Sequence, residues 1–195
     1  MPKDIYDAFK SLPIPVLKAD YFRYIALYLY GGTYTDTDTL CVTPIDTWNN
    51  RAPGVNMIIS IEAYNADINF KCEKPNDYAR GVQFIQWTFS SVKGHPILWN
   101  VINRIKDITP KMIVKRNRSD CDVLDWTGPG IWSDAILDYL NITDVTKFNI
   151  QRPRLYKDIY ILPTEGFKGS RYYHPETKVQ HLFSGSWKNK IDKIN

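Results

Sequence analysis

The eleven residues from Asp20 to Tyr30, DYFRYIALYLY, contain one acid, one base and otherwise only apolar or aromatic side chains. They read as a helix that starts at Asp20, with Gly31 as its C-terminal stop. Phe22, Ile25, Ala26 and Leu29 share one face of it. Asp20, Arg23, Tyr24 and Leu27 share the opposite one. A helix that is apolar on nearly all sides has to be buried.

The surrounding segments alternate between strand and helix character. PIPVLK reads as extended, because prolines bias their predecessors away from helix. TYTD is short and β-prone, and VNMIISIEA has the length and apolar content of a core strand. Residues 81–92, GVQFIQWTFSSV, fit a helix through Val82, Ile85 and Phe89, stopped by Gly94. HPILWNVINRIKDI opens the next helix, with Pro96 in its first turn. WTGPG is a loop feeding the helix IWSDAILDYL, and DIYILP is a strand. The tail VQHLFSGSWK starts β-like. This order predicts an α/β fold in a single domain over residues 1–195.

Composition narrows the partners. The chain has 13 Tyr and 6 Trp, amphipathic rings that suit sugar faces as well as cores. The net charge of +4 is scattered. The clusters KMIVKRNR and KGSRYY read as solvated faces, and no basic stripe argues for nucleic acid. Cys41, Cys72 and Cys121 form no metal-binding pattern and leave one disulfide or free buried thiols open. No apolar run of about 18 residues is present, and MPKDIYDAFK is too polar for a signal peptide. Asn117-Arg-Ser and Asn141-Ile-Thr fit the N-glycosylation pattern, a weak signal.

GGTYTDTDTL, Gly31 to Leu40, carries the chemistry. Gly31 and Gly32 let the backbone turn tightly. Three readings of Asp36 and Asp38 compete. Aspartates tolerate turns, so the pair can be a turn alone. DTDTL also matches a phosphatase pattern in which the first Asp attacks phosphorus and the second moves protons. That site needs an apolar strand before it and a later acidic pair, and neither is present. The third reading is a divalent cation site. Alternate side chains of an extended segment leave on one side, so both carboxylates can converge on one ion.

The words LKADYFRYIALYLYGGTYTDTDTLCVTPIDTW, QFIQWTFSSVKGHPIL, DWTGPGIWSDAILDYL and VQHLFSGSWK, in this order, resemble glycosyltransferase family 32 and its fungal Golgi α-1,6-mannosyltransferases. The resemblance implies a glycosyltransferase-A fold, a Rossmann-like mixed sheet flanked by helices. It implies metal-dependent, configuration-retaining transfer of a hexose from a nucleotide sugar. Mannose from GDP-mannose, joined by an α-1,6 linkage to an N-linked glycan, is the first expectation. Transfer to an inositolphosphoceramide head group, another sugar donor, or an inactive sugar-binding module are the alternatives. The implied cofactor is Mn²⁺ or Mg²⁺, and the implied location is the Golgi lumen or membrane.

By the same resemblance, Asp20 meets nucleotide or sugar hydroxyls, and Arg23 meets the donor sugar or diphosphate. The two residues lie about 60° apart on the helix, away from the Phe22 stripe, and an i,i+3 ion pair explains them equally well without a ligand. Tyr34 lies near the nucleotide or simply packs in its strand. Asp36 touches ribose or the ion through water, and Asp38 ligates the ion. His181 is the expected third ligand, with Ser184 and Ser186 as rivals, because its spacing to Gly185 and Lys188 departs from sister families. Trp187 and Lys188 close over the diphosphate. Thr127 and Gly128 open a helix whose N–H groups suit an anion or a sugar hydroxyl. Asp134, one turn on, orients a hydroxyl or complements the helix start, and Glu62 faces the same cleft as an acceptor contact. His95 starts its helix. Only 17 residues precede Lys18, whereas a βαβ unit needs about 30 or more. The first nucleotide-binding strands are therefore expected to be missing, with an exposed sheet edge in their place.

Overall fold

The computed structural model describes residues 1–50, 52–65, 70, 72–73, 78–116, 118–147, 151–168 and 174–183. The helices are α1 (Lys3–Ser11), α2 (Pro15–Tyr30), α3 (Pro96–Val114), α4 (Asp120–Trp126) and α5 (Pro129–Leu140). The strands are β1 (Gly32–Thr35), β2 (Thr39–Cys41), β3 (Met57–Tyr64), β4 (Val82–Phe84), β5 (Thr88–Ser91), β6 (Arg154–Tyr156), β7 (Ile159–Leu162), β8 (Phe167–Lys168) and β9 (Val179–His181). The larger sheet runs β1-β5-β3-β7-β6, with β4 paired to β3, and a smaller one runs β2-β9-β8. β3 and β7 are parallel, and β5 and β6 are antiparallel to their neighbours, so the sheet is mixed, as expected for this α/β class. Among the described residues β1 is an edge strand, paired only with β5.

The continuous apolar runs of β3 and β7 have a simple cause: both faces of the sheet are covered. Met57, Ile59, Ile61, Ile159 and Ile161 pack with all five helices. Their alternates Ile58, Tyr160 and Leu162 join Trp48, Trp87, Phe167 and Val179 on the other face, under the smaller sheet. Burying each such side chain contributes roughly 1.5–3 kcal/mol.

Several local expectations are corrected. Residues 81–92 are not a helix but the strands β4 and β5. Phe84 and Phe89 enter the helical core, while Ile85 and Trp87 enter the opposite one. One helix face cannot serve two cores, and a period of two can. PIPVLK is extended only through Ile14, and Pro15 occupies the first turn of α2, where its missing N–H costs nothing. The buried side of α2 is the one bearing Asp20, Arg23, Tyr24 and Leu27, whereas Phe22 is 55% exposed. Two further helices appear. α1 buries Ile5 and Ala8. α4 is opened by a capping box of Ser119 and Asp122.

Cys72 and Cys121 are disulfide-bonded across 49 residues, and Cys41 is a free, exposed thiol. The basic cluster at the end of α3 is structural: Arg118 donates to the carbonyls of Met112 and Ile113, and Lys115 pairs with Asp122. Asn141 is the left-handed C-cap of α5. Asn117 and most of KGSRYY lie outside the described residues.

Candidate active site

The site begins where α2 stops. Gly31 has φ +69°, its N–H donates to the Leu27 carbonyl, and a Cβ there would meet Lys93 N at 2.7 Å. Only glycine fits. Gly32 follows at φ +98°, and β1 then carries the chain back past the buried face of α2. Asp36 and Asp38 lie in the connection from β1 to β2, and four contacts pin it. Asp36 N–H donates to the Trp87 carbonyl (2.8 Å), and Leu182 N–H donates to the Asp38 carbonyl (2.8 Å). Thr39 Oγ1 donates to the Asp36 carbonyl (2.8 Å) and shares a hydrogen bond with Thr35 Oγ1 (2.6 Å).

Arg23 is buried, and one of its nitrogens, Nη2, serves two carboxylates: Asp20 Oδ1 at 3.0 Å and Asp36 Oδ1 at 3.2 Å. Its guanidinium lies 4.9 Å from the centre of the Tyr34 ring, and Tyr34 OH donates to the same Asp36 oxygen (2.8 Å). Arg23 Nε is buried without a partner. Burial opposes the Arg23 charge, but Asp20 and Asp36 outweigh it and hold its pKa above the usual arginine range. Asp20 accepts from Thr127 Oγ1 (2.9 Å) and from Gln86 Nε2 (3.4 Å). Burial pushes its pKa up to about 6, against the pull of Arg23.

His181 Nε2 lies 3.5 Å from Asp38 Oδ1. One ligand-type atom from each of Asp36, Asp38 and His181 falls within 4.8 Å of the others. Atoms bound at about 2.1 Å to one octahedral ion lie about 3 to 4.2 Å apart, so small side-chain movements suffice. Burial lowers the His181 pKa against the pull of Asp38 and Asp36, which favours the neutral imidazole a metal needs. One detail argues for rearrangement on binding. His181 Nδ1 accepts from Phe183 N–H (2.8 Å), so its proton belongs on Nε2. Ligation through Nε2 moves that proton to Nδ1 and requires the Phe183 contact to open. The two carboxylates fit a divalent ion after small side-chain movements; the imidazole also needs that change of proton.

The structure therefore brings together Asp20, Arg23, Tyr34, Asp36, Asp38, His181 and, through Asp20, Thr127. Gly128 and the helix start behind it are buried, and a Cβ at Gly128 would meet the Leu124 backbone at 2.8 Å, so this glycine serves close packing of α4 on α5. Asp134 is held elsewhere, by a two-point contact with Arg80 Nε and Nη2 (2.8 and 2.7 Å). Glu62 accepts from Gln83 Nε2 (2.6 Å). His95 accepts from Ile97 N–H and caps α3, as expected. Ser184, Ser186, Trp187 and Lys188 lie outside the described residues. Sequence reasoning missed Gln86 and Trp87. Both sit in the segment read as a helix; its poor fit to a helical stripe was the signal.

The chain is similar to known proteins. Residues 2–54 match the profile described as a glycosyltransferase sugar-binding region containing DXD motif. An initiation-specific alpha-1,6-mannosyltransferase of Schizosaccharomyces pombe is 41% identical over 207 residues, covering 95% of this chain and 50% of that protein. One of the same name from Candida albicans is 32% identical, covering 95% of this chain and 57% of that protein. The chain thus spans about half the length of these relatives. Among solved structures, the PaToxG glycosyltransferase aligns with a TM-score of 0.40 at 17% identity, over 64% of this chain and 35% of that one. The DXD region thus matches that profile, and these fungal proteins resemble the chain over nearly the whole of its own length.

Proposed function

We propose that this chain is the catalytic region of a metal-dependent, retaining glycosyltransferase that moves mannose from GDP-mannose onto an N-linked glycan, forming an α-1,6 linkage. The observation that carries the reading is the shared Arg23 nitrogen. It ties the helix acid Asp20 to the DXD acid Asp36, next to Asp38 and His181. Asp36, Asp38 and His181 would hold Mn²⁺ or Mg²⁺, which when bound neutralises the charge that grows on a departing diphosphate.

The protein's own groups have distinct tasks. Arg23 offers an unused Nε–H to the diphosphate or the donor sugar. Asp20, oriented by Thr127 and Gln86, accepts from a hydroxyl of the donor. Tyr34 keeps Asp36 Oδ1 occupied, so Oδ2 is the oxygen that would be left for an ion. Trp187 and Lys188 keep the role the resemblance gives them, over the diphosphate. Asp134 stays in the Arg80 clamp, apart from the reacting groups. The Asp20 and Asp36 carboxylates are committed to Arg23, so a front-face route in which the departing phosphate takes the acceptor proton is preferred to a covalent intermediate.

The Cys72–Cys121 disulfide suits an oxidising lumen, and the Golgi is the proposed compartment. Among the described residues no helix is long and apolar enough to cross a membrane. The test is GDP release from GDP-mannose in the presence of Mn²⁺. The reading expects release that Asp38→Ala abolishes; no release, or release indifferent to Asp38→Ala, contradicts it.

A further inference from the structure

Beyond the metal-site candidates lies a second polar group. The register of β3 against β4 slips between Ile61 and Ala63. Such bulges re-aim a side chain, and the residue at the slip is Glu62. It is half-buried, and its Oε2 accepts from Gln83 Nε2 at 2.6 Å. Gln83 is itself buried, and its Oε1 accepts from the N–H groups of Ala79 and Arg80 (2.6 and 3.3 Å). The amide therefore has one orientation, and its N–H must point at Glu62. Burial raises the Glu62 pKa, while Gln83 and the nearby indole of Trp87 favour the charge.

Trp87 is 6% exposed, and its Nε1–H is buried near this carboxylate without a hydrogen-bond partner. A buried indole N–H normally finds a partner. The same ring stands edge-on to His181, centroids 4.7 Å apart. Trp87 thus joins Glu62 to the candidate metal centre twice, by its ring against His181 and by its carbonyl, which accepts from Asp36 N–H. A ligand group that both accepts and donates would complete the Glu62 end: it would take the indole proton and give its own to the carboxylate. A hydroxyl does this; a phosphate would be repelled.

We propose that Glu62 and the Trp87 indole N–H form a hydroxyl-binding subsite for the acceptor sugar, joined to the candidate metal centre through the ring contact of Trp87 with His181. The inference rests on the glycosyl-transfer reading and names the second substrate's place in it. Arg23 and Asp20 address the donor, so a sugar held at Glu62 approaches from the side of His181.

Two conservative variants test this. Glu62→Gln removes the charge and keeps the shape; Trp87→Phe removes the N–H and keeps a ring against His181. Each is measured for the KM of donor and of acceptor, and for binding of an α-linked mannose oligosaccharide by calorimetry. The expected result is an acceptor KM raised about tenfold or more, the size of a hydrogen bond to a charged group. Oligosaccharide binding weakens in the same ratio, and the donor KM moves by less than about threefold. Acceptor KM and oligosaccharide affinity within about twofold of the parent in both variants would overturn the proposal. If Glu62→Gln does not fold, Trp87→Phe decides alone. If the parent binds the oligosaccharide in a Glu62-dependent way but never turns over GDP-mannose, the subsite stands and the transferase reading fails.

Discussion

Two arginines in this protein each bind two aspartates, and they do it in opposite ways. Arg80 uses its whole fork. Nε and Nη2 grip Asp134, while Nη1 reaches Asp125 (2.6 Å) and the Ala79 carbonyl (2.7 Å). Gly130 makes room for this, since a Cβ there would meet Asp125 Oδ1 at 2.6 Å. Arg23 is more deeply buried, yet it spends a single nitrogen on both Asp20 and Asp36 and leaves Nε unpaired. A buried arginine that forgoes available pairing is expensive in a purely structural role. The saturated cluster is a clamp; the unsaturated one keeps the spare donor that the proposed donor site calls for. Identical residue types thus differ in function through hydrogen-bond saturation, which no residue count reveals.

The comparison can be broken by exchanging the two roles. The largest effect is expected at Arg23. Arg23→Lys keeps the charge but loses the fork, and kcat/KM for the donor should fall about 10²- to 10³-fold with little change in thermal midpoint. Arg80→Lys should do the reverse. Two of its carboxylate partners are about a third exposed, so solvent screening limits the loss to about 1–2 kcal/mol. That lowers the thermal midpoint by about 2–8 °C, and kcat/KM of the folded protein should stay within about fivefold. Asp134→Asn should follow Arg80→Lys and not Arg23→Lys; a collapse of kcat in Asp134→Asn at unchanged midpoint would move Asp134 into the chemistry.

The smallest effect sharpens the contrast from a third polar group, built around the buried His95. His95 Nε2 lies 3.3 Å from Asp158 Oδ2, and Asp158 also accepts from Asn56 and Tyr139. Burial lowers the His95 pKa, against the pull of Asp158. The unfolded chain, with a His pKa of about 6.5, then binds more protons than the folded one just below that pH. Stability contributed here is present above about pH 6.5 and is lost as pH falls. Unfolding midpoints followed from pH 7.5 to 5.5 should decline, and His95→Gln should flatten the decline. An unchanged pH profile in His95→Gln would remove His95 as the cause.

Much of the site was legible because it is local in sequence. Asp20 and Arg23 are one turn apart on α2, and Tyr34 and Asp36 are two apart at the end of β1, so the helical and strand periods bring these together; Asp38 sits in the turn that follows, and the turn, not a strand period, sets it beside Asp36. His181 was reachable only through resemblance, since β2 and β9 join its end of the chain to Asp38 by sheet pairing. The clamp on Asp134 was not legible. Arg80 sits 54 residues away, and its segment carries no periodic signal. The 81–92 segment was misread for a related reason. Its apolar residues serve two cores on opposite faces of the sheet, and a single-face pattern was sought. α1 and α4 were overlooked although each carried a signal, an apolar i,i+3 pair in Ile5 and Ala8 and the capping box at Ser119.

The central claim is that Asp36 and Asp38 jointly bind one divalent ion beside Arg23. It is tested most directly by titrating the protein with Mn²⁺ and following the free ion by electron paramagnetic resonance, in the parent and in Asp36→Asn/Asp38→Asn. The account predicts one site per chain in the parent, strengthened by GDP, and affinity at least about 100-fold weaker in the double variant. Equal Mn²⁺ affinity in the two proteins would contradict it.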